Sequence, residues 1–157
     1  MLTVRPATPE DSTDVLLWRN DPVTVGMSLG KTEISPEQHA DWFPRTLSSN
    51  EHVHVIGEFV EGDQTIEKIG VCRFDRKDAC RWLVSVNLNP IHRGKSLSAE
   101  FLDQAIQFLF SCFPSGKATL LAEIREQNIP SQRIFEKNGF RTVRKLKGVV
   151  HMERELG

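Results

Sequence analysis

No tyrosine occurs anywhere in this chain of 157 residues, so any proton transfer it performs runs without a phenol. Cysteine is scarce as well. Cys72, Cys80 and Cys112 are odd in number, widely spaced and free of any C-x-x-C pair, which points to neither a zinc site nor a disulfide framework. Small buried or half-buried thiols are the expectation. No apolar run approaches the roughly 20 residues needed to span a bilayer, and the opening "MLTVRPATPED" has no basic-then-apolar leader pattern. A cytoplasmic protein with no membrane partner is expected. Charge of one sign is not in excess either: 20 basic against 21 acidic residues leave a net charge of −1. That balance argues against a broad nucleic-acid footprint. No repeat, low-complexity tract or linker interrupts the chain. At this length roughly 70% of the unfolded surface can be buried, so one domain over residues 1–157 is expected.

What is present is an alternation of strand and helix signals. "LTVRPA" alternates as a first strand. Thr8, Pro9 and Asp11 then form a capping device for a helix reaching about Asn20, and Ser35, Pro36 and Gln38 repeat it for a second. His39, Trp42 and Phe43 fall on one face of that second helix. "HVHVIGEF" (52–59), "IEKIGVCRFD" (66–75) and "RWLVSVNLN" (81–89) read as strands. Phe101, Leu102, Ala105, Ile106 and Leu109 make a helical stripe. "ATLLAEI" has the continuous apolar character of a buried strand. "PSQRIFEKNGF" is a short helix with Gly139 as a left-handed C-cap, and two last strands turn near Lys147-Gly148. The expected order is β-α-α-β-β-β-α-β-α-β-β, an α/β or α+β fold with a mixed sheet.

One segment, "NPIHRGKSLSAEFL", looks built for an anion. It ends in Gly94-Lys95-Ser96, the tail of a triphosphate loop, but the position five before Gly94 is Asn89 where that motif needs glycine. A second geometry fits better. A strand ends, a loop follows, and a helix expected to start near Ser96 offers its N–H groups and dipole to an anion. The backbone N–H groups of Arg93, Gly94, Lys95, Ser96, Leu97 and Ser98 are the candidates, with the Arg93 and Lys95 charges beside them. An exposed basic turn that merely caps a helix reads equally well from the segment alone.

"VNLNPIHRGKSLSAEFL" resembles the acetyl-CoA pyrophosphate loop of the GNAT N-acetyltransferase superfamily. There an Arg or Gln is followed by two residues, Gly, one residue, and Gly or Ala. Arg93 matches the first position, and Ser96 and Ser98 stand at the two small ones. Serine replaces glycine there, and a helical, negative φ at that position would make the exchange mild. "AEIREQNIPSQRIFEKNGFR" resembles the family's C-terminal motif through Asn128, Ser131, Phe135, Glu136, Lys137, Gly139 and Phe140.

The resemblance implies a GNAT-like fold and an enzyme in which an amine attacks the acetyl-CoA thioester directly, with no metal. The strand ending at Asn89 would splay from its neighbour and pair with the pantetheine arm near Val86 and Leu88. A backbone N–H would hold the thioester oxygen, and Asn128 would contact the cofactor arm. The family's usual general acid, a tyrosine, is replaced by Phe135. That leaves Ser131, water, or no acid for a thiolate of ordinary pKa near 8.5. Asp75 and His39 are the candidates for the base or for substrate binding. His52 and His54 read as structural or surface residues, since two histidines without a third ligand make a poor metal site. Trp18 and Trp42 read as core.

For the acceptor, "LLWRNDPVTVGMS", "ISPEQHADWF" and "IGVCRFDR" are similar to a branch that acetylates nucleotide-linked 4-amino sugars. Arg19, Asn20, His39, Arg73 and Asp75 are the matching positions, and an arginine there suits a diphosphate or a carboxylate. The expectation is a small-molecule amine, an amino-sugar nucleotide, with a homodimer as a permitted assembly. The alternatives are a protein N-terminus as acceptor, or a non-catalytic module of the same fold.

Overall fold

The computed structural model describes residues 1–30, 32–94, 96–113 and 116–156. β1 (Leu2–Pro6) leads into three helices, α1 (Ser12–Arg19), α2 (Pro22–Met27) and α3 (Pro36–Leu47). β2 (His52–Glu61), β3 (Gln64–Arg76) and β4 (Arg81–Leu88) follow, then α4 (Ser98–Cys112), β5 (Ala118–Arg125), α5 (Ile129–Lys137), β6 (Arg141–Leu146) and β7 (Val149–Leu156). The seven strands form one mixed sheet in the order β1-β2-β3-β4-β5-β7-β6. β4 and β5 are parallel and joined through α4; the other neighbours are antiparallel.

The capping devices behave as their chemistry dictates. Gln38 N–H donates to Ser35 Oγ at 3.1 Å while Ser35 N–H donates to Gln38 Oε1 at 3.0 Å. The Asp11 carboxylate accepts from Thr8 N–H at 2.8 Å. Gly139 takes a φ of 82° after α5, and Lys147 and Gly148, at 51° and 76°, make the tight turn between β6 and β7. α2 departs from the expected order. Asp21 caps it, accepting from Val23 N–H at 3.1 Å and Thr24 N–H at 3.3 Å, with Pro22 at its first position.

Alternate strand residues feed two cores. On one face Phe101, Leu102 and Ala105 of α4 pack on Val55, Ile69 and Leu120. On the other, Val15, Trp18 and Phe43 of α1 and α3 pack on Ile56 and Val71. Cys72 is buried, whereas Cys80 and Cys112 are exposed; all three are free thiols. Among the described residues no helix is long and apolar enough to cross a membrane.

Candidate active site

Registered pairing between β4 and β5 runs from Arg81↔Thr119 to Leu83↔Leu121 and stops there. β4 goes on to Leu88 with its other edge still paired to β3, as far as Gly70↔Leu88. Asn89 fixes its end: the backbone N–H donates to Ile69 O at 2.8 Å and Nδ2 to Lys68 O at 2.9 Å. A cavity of about 460 Å³ fills the opening, with Val84, Ser85, Val86, Asn87 and Leu88 on one side and Glu123 and Ile124 on the other. The cleft thus presents a strand edge that its neighbour has released, where an extended amide chain can hydrogen-bond as a strand would. The family resemblance implied this splay, with Val86 and Leu88 on the released strand.

At the loop after β4 the structure corrects the expected geometry. α4 begins at Ser98, with Leu97 as its N-cap. Ser96 lies ahead of the helix, in the left-handed region with a φ of 60°, and Gly94 has a φ of 76°. The glycine that the loop pattern calls for therefore meets a conformational need, and serine there is strained. Ser98 is buried. Gly94, Ser96, Leu97 and Ser98 are not among the cavity's lining residues. Lys95 lies outside the described residues. Arg93 lines the cavity, but its guanidinium is engaged by the Asp21 carboxylate and by Thr24 Oγ1, the latter at 2.9 Å. Arg125, at the end of β5, donates to Ser28 O and Leu29 O, both at 2.9 Å. The segment from Asp21 to Leu29 is thereby tied at each end across the opening.

α5 supplies another wall of the cavity. Asn128 caps it, accepting from Ser131 N–H at 3.4 Å, and Asn128, Ser131 and Phe135 all line the cavity. Phe135, at the position where a tyrosine was expected from the resemblance, is buried edge-on against Phe140 at 4.9 Å.

The opposite wall gathers Arg19, His39, Trp42, His54 and Arg73. His54 and Arg73 are registered partners on β2 and β3, and Ser85 is the next partner on β4, so the three share a face. The His54 ring is edge-on to Trp42 and Phe43, 5.6 Å from each, and the Arg73 guanidinium lies over Trp42 at 5.5 Å. Trp42 is therefore a cavity wall, not simply core. Two expected site residues stand elsewhere. Asn20 clasps Ile34, donating to its carbonyl at 2.6 Å and accepting from its N–H at 2.7 Å. Asp75 meets His52 Nδ1 at 2.7 Å and Arg73 Nε at 3.0 Å, and is not among the lining residues.

His54 and Glu123 also line the cavity, where the sequence pattern did not place them. Glu123 interrupts an apolar strand and makes no ion pair among the described residues. His54 is 5% exposed and neither ring nitrogen has a partner. Burial, then the Arg73 charge, pushes its pKa down from 6.5 to about 4. Burial likewise lowers that of His39. Both rings are neutral near pH 7. Below about pH 6.5 the unfolded chain takes up a proton that the folded His54 site refuses, so stability falls with pH until the folded site itself protonates. Between pH 7 and pH 5 this loss is about 2 kcal/mol, at roughly 1.4 kcal/mol per unit below 6.5. Urea midpoints across that range should show it, and His54→Phe should flatten the slope.

No group of three or more His, Cys, Asp or Glu side chains is placed to hold a metal among the described residues. The acetyltransferase (GNAT) domain model matches residues 1–141. No curated protein matches the chain in sequence. Among solved structures, a domain from Methanocaldococcus jannaschii is similar at a TM-score of 0.84 and 21% identity, over 99% of each chain. Spermidine N-acetyltransferase from Vibrio cholerae, in complex with CoA and spermine, has a TM-score of 0.81 at 13% identity, over 99% of this chain and 94% of its own. N-acetyltransferase PseH of Campylobacter jejuni has a TM-score of 0.70 at 12% identity, over 99% of each.

Proposed function

Because the chain belongs to the acetyltransferase (GNAT) family, whose members are enzymes that acetylate amino groups, we propose that the β4–β5 opening is where it holds acetyl-CoA and transfers the acetyl group to a small-molecule amine. The release of β4 from β5 beyond Leu83 carries this reading. In it the pantetheine arm pairs with β4 near Val86 and Leu88, and Asn128 and Ser131 face it from α5. The diphosphate lies on the loop around Arg93 and Ser96. The neutral amine attacks the thioester carbon, a β4 backbone N–H receives the developing oxyanion, and the C–S bond breaks to release CoA thiolate. Phe135 cannot donate a proton, so the thiolate leaves as such, and the proton that the attacking nitrogen sheds on becoming an amide passes to water or to that thiolate. Glu123 is the carboxylate lining the cleft, and it accepts the ammonium proton before attack. Asp75 is held by His52 and Arg73 instead.

The acceptor in this reading is an amino sugar linked to a nucleotide. The fold does not choose it, since the similar structures include a polyamine enzyme. The charge of the cleft supports it: Arg19 and Arg73 line the wall opposite α5, and Glu123 is the lone carboxylate among the described lining residues.

Calorimetric titration with acetyl-CoA, followed by thiol release in the presence of amine, tests the assignment. Saturable one-to-one binding is expected. Absence of binding would return the chain to a non-catalytic member of its fold. Ser96→Gly relieves the left-handed strain, and should raise stability by about 1 kcal/mol and preserve or tighten acetyl-CoA binding. A marked loss would show that the serine hydroxyl is itself a ligand.

A further inference from the structure

We propose that Arg19 and Arg73 form a subsite for a phosphate ester or diphosphate borne by the acceptor. The inference rests on the acetyl-transfer reading of the same cleft and names what selects its substrate. Of the three arginines in the cavity, Arg93 is neutralised by Asp21. Arg19 closes α1 and makes no ion pair among the described residues, and its Nη1 is buried with no hydrogen-bond partner. A buried guanidinium N–H without an acceptor is costly, and a ligand oxygen is the partner that such a group lacks.

The Arg73 guanidinium lies over the Trp42 ring, 5.5 Å from its centroid. Its Nε touches Asp75 at 3.0 Å, yet the N–H is not aligned into a hydrogen bond. Burial first, and the Arg73 charge second, weaken the Arg19 guanidinium's hold on its proton, so the two cations act on each other. Asp75 meets Arg73 at Nε, so it is chiefly Arg19 that calls for an anion, and a polyamine would add cations to a basic wall. A phosphate dianion is such an anion, and planar guanidinium forks match its oxygens. Glu123 stands apart on β5, on the side from which the amine would lose its proton.

The test uses protein saturated with CoA, so that the loop around Ser96 is filled and a second anion must bind elsewhere. Inorganic pyrophosphate is titrated into wild type and Arg19→Gln. Acetylation of glucosamine 6-phosphate, glucosamine and spermidine is then compared. Pyrophosphate should bind the CoA-loaded wild type, and Arg19→Gln should weaken it by about 10- to 100-fold. The same change should raise KM for the phosphorylated sugar far more than for glucosamine, with CoA affinity unaltered. An unchanged or higher melting temperature shows that the variant is folded; if it melts early, Arg19→Lys, which keeps charge but loses the fork, should still weaken pyrophosphate. Pyrophosphate that fails to bind, or binds both proteins equally, overturns the subsite, as does a preference for spermidine. These results leave acetyl transfer standing. Failure of CoA itself to bind overturns the cleft assignment, and the subsite with it.

Discussion

Gly70→Ala should cut kcat/KM for acetyl-CoA by about 100-fold, because it moves the strand on which the cofactor is proposed to lie. A Cβ at Gly70 would stand 2.5 Å from Asn87 O and 3.0 Å from Leu88 Cα. Both are main-chain atoms of β4, so no side chain can swing away, and the strand must shift. Overpacking of this kind costs about 1–3 kcal/mol, and a displacement of about 1 Å at a reacting centre can cost that 100-fold in rate. Gly26→Ala is the control: its Cβ meets nothing within 4 Å. Thiol-release kinetics and melting curves on both variants decide the matter. A Gly70→Ala enzyme with normal kinetics would mean that β4 near Asn87 does not carry the cofactor.

Asp11→Ala should lower stability by about 3 kcal/mol, because it removes several charge-assisted hydrogen bonds that contribute about 1.5–3 kcal/mol each. Asp11 is 1% exposed. It accepts from Arg5 Nη1 and Nη2 at 2.8 and 2.9 Å and meets Lys68 Nζ at 2.8 Å. Arg5 also binds Glu58, and Lys68 binds Asp14. One carboxylate therefore ties β1 and β3 to the start of α1. At roughly 2–4 °C per kcal/mol for a chain of this size, the melting temperature should drop by about 10 °C. Burial alone would raise the Asp11 pKa, but the hydrogen bonds from Arg5 and Lys68 overcome it and hold the group well below the usual carboxylate range. Its contribution is thus complete above the unfolded carboxylate's pKa and disappears only in strong acid, as pH falls through the folded value. Acid unfolding should show two stages, the His54 loss first and the Asp11 loss after it. A melting temperature unchanged by Asp11→Ala would refute the account of the cluster.

Local chemistry made much of this legible beforehand. Ser35 and Gln38 announced α3, the apolar stripe of α4 named its buried face, and the break at Asn89-Pro90 marked where β4 ends. The misses have a common cause. α2 buries none of its six residues, so it leaves no apolar stripe; its signal was the Asp21-Pro22 cap, the same device seen at Ser35-Pro36. The left-handed φ of Ser96 belongs to the path of a loop, which hydrophobic periodicity does not encode. His54 and Glu123 reach the cleft because of sheet register and the face each strand turns to the helices. Asp75, two register pairs beyond Arg73 and so on the same strand face, looked equally near from the sequence, yet its carboxylate is taken by His52 and Arg73.

The short seam between β4 and β5 also divides the sheet into two unequal parts. Three registered pairs join a plate of four antiparallel strands, β1 to β4, to a plate of three, β5, β7 and β6. In the proposed reading the pantetheine arm occupies the missing length of that seam and completes the cross-section of the sheet. The acceptor wall of Arg19, His54 and Arg73 belongs to the first plate, and Glu123 to the second. In that reading the cofactor lies between the two groups of side chains that meet the acceptor's opposite ends, and it is in place before the amine arrives.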